Sequence, residues 1–173
     1  MSTKLTCSTQ LILNDKNVSA KDVFDLILDK NTPKYEINYG NSVQHSAEYE
    51  NNELKKIKLK TTDKIHQNIT SGGIYFILSS DEKNILYVGK DKNLKYRLKQ
   101  HLIECSKSTS SHIQDVLNYL LEQQKKDSLI CIKYCVINTI DNKNNAAIEG
   151  MLIDYIFESS DQIFDECWNK RKD

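Results

Sequence analysis

Proline and glycine are scarce in this chain, with one proline (Pro33) and five glycines in 173 residues. That excludes collagen-like, proline-rich and glycine-rich linker architectures, which depend on those residues. No apolar run approaches the roughly 18–20 residues that span a bilayer, so no membrane partner is expected. The N-terminus, Met1-Ser2-Thr3-Lys4-Leu5-Thr6-Cys7, lacks the basic flank and apolar stretch of a secretory signal, and a cytoplasmic location is the expectation. C-x-x-C spacing is absent too. Cys131 and Cys135, the nearest pair of the five cysteines, lie at i and i+4 on an expected strand, about 13 Å apart and beyond reach of one metal or a disulfide. All five, with Cys7, Cys105 and Cys167, read as free thiols. Arginine is the scarcest charge: 22 of the 24 basic residues are lysine, leaving Arg97 and Arg171.

Composition is otherwise that of a globular protein, with 39% hydrophobic and 28% charged residues and a net charge of zero. The charge is uneven. From Lys83 to Lys107 there are seven basic residues against two acids, Asp91 and Glu104. Such a local excess can steer a polyanion or can simply solvate a helix face, and composition leaves both open.

Ser19, with Asp22 three residues on, predicts an N-cap for a helix over 20–30 whose buried stripe is Val23, Phe24, Ile27 and Leu28. A strand is expected around 10–13, and alternation at Tyr35, Ile37 and Tyr39 and again at Ile57 and Leu59 predicts two more, with 41–52 as a loop. After residue 70 the signals sharpen. Strands over 74–78 and 85–88 form a hairpin, followed by helices from about 93 to 105 and over 112–124, a strand over 129–137 and a helix over 146–157. The fold class is α/β (α+β): a small three-stranded, mainly antiparallel sheet flanked by helices over 71–173, with residues 1–70 as an N-terminal extension. That extension contains no catalytic set, so it is expected to supply nucleic-acid contacts, a homodimer surface or a lid on the sheet.

Gly73-Ile74-Tyr75 and Tyr87-Val88-Gly89 stand at the two strands of the hairpin. The continuation Lys90-Asp91-Lys92-Asn93-Leu94-Lys95-Tyr96-Arg97-Leu98-Lys99-Gln100-His101 follows a Y-[IV]-G-K-x-x-x-L-x-x-R-x-x-x-H pattern. Glu149 sits in Ala147-Ile148-Glu149-Gly150-Met151-Leu152-Ile153, and Trp168-Asn169-Lys170 comes near the end. This ordered set resembles the GIY-YIG nuclease superfamily over roughly residues 71–173. Val88 for isoleucine, and Asp91 where many members carry a small residue, are departures. The resemblance implies a metal-dependent endonuclease that hydrolyses phosphodiester bonds of DNA. It implies a site of Tyr75, Tyr87, Arg97, His101 and Glu149, with Lys90 and Asn169 toward the substrate and one Mg²⁺ or Mn²⁺ on Glu149. In it Tyr75 would be the general base and Tyr87 would position phosphate or water.

Each residue also has a chemistry of its own. Phosphodiester hydrolysis needs an activated water and neutralised charge on the phosphoryl oxygens. Glu149 borders the apolar face of its helix and offers hard oxygen, yet acids are common in first helical turns. Arg97 and His101, at i and i+4, share a helix face. A guanidinium can clamp two phosphate oxygens, and the imidazole can move a proton or bond the phosphate. Tyr75 and Tyr87 share a sheet face only if the hairpin register has an even sum. Lys90 can touch a phosphate or merely solvate the surface, and Asn169 is expected to hydrogen-bond within the site or to brace Glu149. The alternative reading is a non-catalytic nucleic-acid- or protein-binding module on the same scaffold.

Overall fold

The structure, a computed structural model, describes residues 6–7, 11–13, 18–69, 71–106, 110–126, 130–139 and 142–169, with the side chains of 6–7, 11–13, 110 and 111 excepted. Arg171, Lys170, Lys107 and the Cys7 thiol lie outside the described residues. Among the described residues none of the helices is long and apolar enough to cross a membrane. The elements are β1 (Thr6–Cys7), β2 (Leu11–Leu13), α1 (Ala20–Leu28), β3 (Tyr35–Asn38), β4 (His45–Glu50), β5 (Glu53–Leu59), β6 (Gly73–Leu78), β7 (Ile85–Asp91), α2 (Leu94–Leu102), β8 (Glu104–Ser106), α3 (Ser110–Lys125), β9 (Cys131–Thr139) and α4 (Asn145–Glu158). They form two compact units, one within residues 1–35, 67–94 and 133–173, the other within 36–66 and 95–132.

In the first unit, β6 lies between β7 and β9 and is antiparallel to both. β2 extends the sheet, parallel to β9, and β1 pairs antiparallel with β2. All six residues of β6 are buried, so Gly73-Ile74-Tyr75-Phe76-Ile77-Leu78 is an uninterrupted apolar run rather than an alternating one. One face of this sheet (Ile74, Phe76, Leu78, Val88, Cys135, Ile137) joins Val23, Phe24 and Ile27 of α1 and Leu152 and Ile156 of α4 in one core. Phe24 meets Phe76 edge-on at 6.1 Å and stacks on Tyr155 at 5.7 Å. The α1 start is the expected capping box: Ser19 Oγ accepts from the Asp22 amide and the Asp22 carboxylate accepts from the Ser19 amide, each at 3.2 Å. At the hairpin turn, Glu82 adopts a left-handed φ of 61° and takes Lys34 (3.2 Å) and Lys133 (2.6 Å) on its two oxygens.

The second unit is built on a separate antiparallel sheet, β4-β5-β8, with α3 against β5 and β8. It corrects three expectations. There are two sheets rather than one of three strands, and the expected three strands are only part of the larger one. The polar stretch 41–52 contains strand β4, whose six residues are all exposed and therefore carry no alternation for a sequence reading to detect. The helix after the hairpin ends at Leu102 instead of continuing to 105, because Cys105 enters β8 opposite Ile57 and is buried there. Of the residues before 70, α1 belongs to the first unit's core, and β5 is the central strand of the second unit's sheet.

Candidate active site

The β6–β7 register pairs Tyr75 with Gly89 and Ile77 with Tyr87, both sums being 164, which is even. Tyr75 and Tyr87 therefore share a sheet face, with ring centroids 5.9 Å apart and planes tilted by 31°. Since Ile74, Phe76 and Val88 turn toward α1 and α4, strand alternation directs the two tyrosines to the opposite face. Tyr75 is fully buried and Tyr87 half-buried.

The signature glycines answer to close contacts. A Cβ on Gly89 would stand in the ring of Tyr75, meeting Cζ, Oη and Cε1. Gly73 has φ +156°, and a Cβ there would strike the carbonyl oxygen of Ile137 on β9. One glycine lets Tyr75 lie flat across β7, and the other lets β6 begin tight against β9.

Lys90 continues the alternation of β7 toward α4, where its Nζ is 4.0 Å from Glu149 Oε2. The Glu149 side chain is 18% exposed, so its carboxylate is largely desolvated but still reachable. Asn169 completes this strand from its outer edge. Its Oδ1 accepts from the Val88 amide and its Nδ2 donates to the Val88 carbonyl, both at 2.8 Å. The Trp168 amide donates to the Leu86 carbonyl at 2.7 Å, so the C-terminal segment borders β7 as a short strand would. The side chain of Asn169 thus holds the backbone between Tyr87 and Gly89, where the sequence pattern led us to expect a bond within the site or a brace for Glu149.

Arg97 and His101 lie on α2 in the second unit. His101 is 1% exposed and stacks on His112 of α3, with centroids 4.5 Å apart and planes 27° from parallel. Burial, followed by His112 and then the Arg97 charge, holds the His101 imidazole well below its ordinary value. His112, about half-buried, is lowered by burial and then by Arg97. Both rings are therefore neutral at pH 7, and the guanidinium of half-buried Arg97 is the cation of the trio. Motif spacing alone did not single out His112. The available signal was its i, i+4 relation to buried Val116, which sets it beside the apolar stripe of α3.

Among the described residues no group of three or more His, Cys, Asp or Glu side chains gathers to hold a metal. Glu149 offers a single carboxylate. That suits a largely hydrated Mg²⁺ or Mn²⁺, which takes one or two carboxylates and completes its sphere with water and substrate phosphate. The four cysteines whose side chains are described, Cys105, Cys131, Cys135 and Cys167, are free thiols, and burial pushes the Cys135 thiol up to about 12. A soft-metal site is not what this donor set builds.

The family model described as the GIY-YIG catalytic domain matches residues 71–155. No curated protein and no solved structure matches the chain.

Proposed function

Since this chain belongs to the GIY-YIG nuclease superfamily through residues 71–155, we propose that it is a divalent-metal-dependent endonuclease that hydrolyses phosphodiester bonds of DNA. The observation that carries the reading is the Tyr75–Tyr87 pair: the two signature tyrosines come together on one sheet face, over a glycine that makes room for one of them. As isolated strand tyrosines they would be ordinary core. The tyrosine pair puts two hydroxyls on one face of the sheet, and the Lys90–Glu149 pair puts a cation and a hard carboxylate between β7 and α4.

Tyr75 is assigned the proton of the attacking water, and Tyr87, the more exposed of the two, holds the water or the phosphate. Glu149 would hold the divalent cation, which supplies neutralisation of phosphoryl charge when bound. Lys90, paired with Glu149 at 4.0 Å, orients that carboxylate and can turn to phosphate when a cation takes its place. Arg97 is the two-pronged phosphate donor that the family resemblance implies. His101, a neutral imidazole at pH 7, supports Arg97 without adding positive charge. Asn169 keeps β7 in register beneath Tyr87.

The test is incubation with plasmid, single-stranded and branched DNA, with Mg²⁺ or Mn²⁺ and with EDTA, for the wild type, Glu149→Ala and Tyr75→Phe. Cleavage should require the cation and be lost in both variants while thermal melts show both folded. Full activity in EDTA, or in Glu149→Ala, would sink the assignment. Activity retained by Tyr75→Phe would make that tyrosine a core residue and remove it as the base.

A further inference from the structure

The outward face of α2 and the neighbouring surface of β5 and β8 remain unused by this chemistry, and both lie in the second unit. Helix α2 contains no acid. Lys95, Tyr96 and Lys99 are all exposed on it. At about 100° per residue, Lys99 falls between the other two, about 40° from Lys95 and about 60° from Tyr96. Tyr96 is 57% exposed, one of three large apolar side chains that face solvent among the described residues. The other two differ in setting. Tyr49 stands between Glu48 and Glu50, and Phe157 precedes Glu158, whereas Tyr96 alone is flanked by cations.

The basic character continues from α2 onto the sheet. The Glu104 carboxyl, on β8, is held below its ordinary value first by its bond to Lys56 at 2.5 Å and then by the charges of Lys56, Lys99 and Lys58. One acid therefore sits among lysines from α2 and β5. Lys56 is largely neutralised, by Glu104 and by Glu48 across the strand pair, which leaves Lys58, Lys99 and Lys95 as the outward cations.

We infer that this face binds a single-stranded or unpaired stretch of the nucleic acid, with Lys58, Lys95 and Lys99 against the phosphates and the Tyr96 ring stacked on an exposed base. A lysine row alone would suit any polyanion, duplex included. A solvent-facing aromatic ring set among such lysines adds a platform that only an unstacked base can use. The inference rests on the nuclease reading for the identity of the polyanion, and it names the substrate class as nucleic acid with a single-stranded segment: a flap, fork, bubble or free strand.

The experiment is fluorescence anisotropy with a labelled single-stranded oligonucleotide and its duplex, in EDTA so that no cleavage intervenes, using the full chain. Wild type should prefer the single strand. Tyr96→Ala should weaken single-strand binding by roughly five- to a hundredfold and leave duplex binding unchanged, while Tyr96→Phe keeps the preference. The double variant Lys95→Gln, Lys99→Gln should weaken both and lower the salt dependence by roughly one to two counter-ions. Unchanged single-strand affinity in Tyr96→Ala, or equal losses on both substrates, would overturn the inference. Cleavage is assayed separately with Mg²⁺. A protein that cuts nothing yet prefers single strands through Tyr96 contradicts the nuclease reading alone, and one that cuts but is indifferent to Tyr96 contradicts this inference alone.

Discussion

The ring of Tyr75 lies where a Cβ on its cross-strand partner Gly89 would stand. The last glycine of the second signature tripeptide and the tyrosine of the first are therefore one device: the glycine is the floor on which the tyrosine rests. Gly89→Ala should displace the Tyr75 ring, lower stability by about 1–3 kcal/mol and abolish most cleavage. Gly150→Ala is the matched control. It sits in α4 with nothing within 4 Å of its Cβ position and should stabilise by about 0.5–1 kcal/mol. Urea melts and nicking assays on the pair decide the matter, and a Gly89→Ala protein as active as Gly150→Ala would show the contact to be dispensable.

Arg97 stands in a chain that uses lysine almost everywhere else, including at Lys95 and Lys99 on the same helix. A lysine there keeps the charge and loses the second prong, and each charge-assisted bond is worth roughly 1.5–3 kcal/mol. Arg97→Lys should slow turnover by about ten- to a hundredfold while DNA affinity and its salt dependence hardly change. Turnover in that variant equal to wild type would mean that any cation suffices.

His101 and His112 are neutral in the fold, with pKa values depressed from about 6.5. For a depressed histidine the sign runs one way. Well above the ordinary value folded and unfolded chains bind the same protons, whereas below it the unfolded chain binds more. Stability is therefore intact above about pH 6.5 and falls as the pH drops toward the folded values, by at most about 1.4 kcal/mol per pH unit for each ring. His112→Phe keeps a ring on His101 and removes one titrating group, so its decline between pH 7 and 5.5 should be shallower than that of the wild type. Chemical denaturation at several pH values measures both slopes, and identical slopes would rule out His112 as a contributor.

Removing residues 1–66 strips α1 from the first unit's core and both β4 and β5 from the second unit's sheet. The truncated protein should fail to fold cooperatively. A subtler variant, Phe24→Ala, empties the contact with Phe76, Tyr155 and Phe164 and should cost about 3–5 kcal/mol. Circular dichroism and calorimetry check both. A 67–173 protein with a sharp melt would return the N-terminal segment to the accessory role that its lack of catalytic residues suggests.

Much of this protein is local, and that part is legible in the order of its residues. Ser19 and Asp22 cap α1 because the capping box needs only four residues. The hairpin of β6 and β7, the stripe of α4 and the motifs carrying Tyr75, Tyr87, Arg97 and Glu149 are set by short-range pattern and by types of residue at fixed intervals. What no interval decides is register and long-range pairing. The loop between Leu78 and Ile85 allows odd and even sums, and only the ladder with Gly89 opposite Tyr75 sets both tyrosines on one face. β4 pairs with β5 through backbone bonds that its exposed side chains do not advertise, and β8 interrupts an apolar pattern that reads as helix because Cys105 finds a partner in Ile57. His112 on α3 reaches His101 on α2, and Asn169 reaches Val88 across 81 residues. Sequence by itself determined which chemical groups the protein has and which local elements carry them. The tertiary structure decided which of those groups meet, because backbone hydrogen bonds and burial act between segments whose separation along the chain carries no periodic signal.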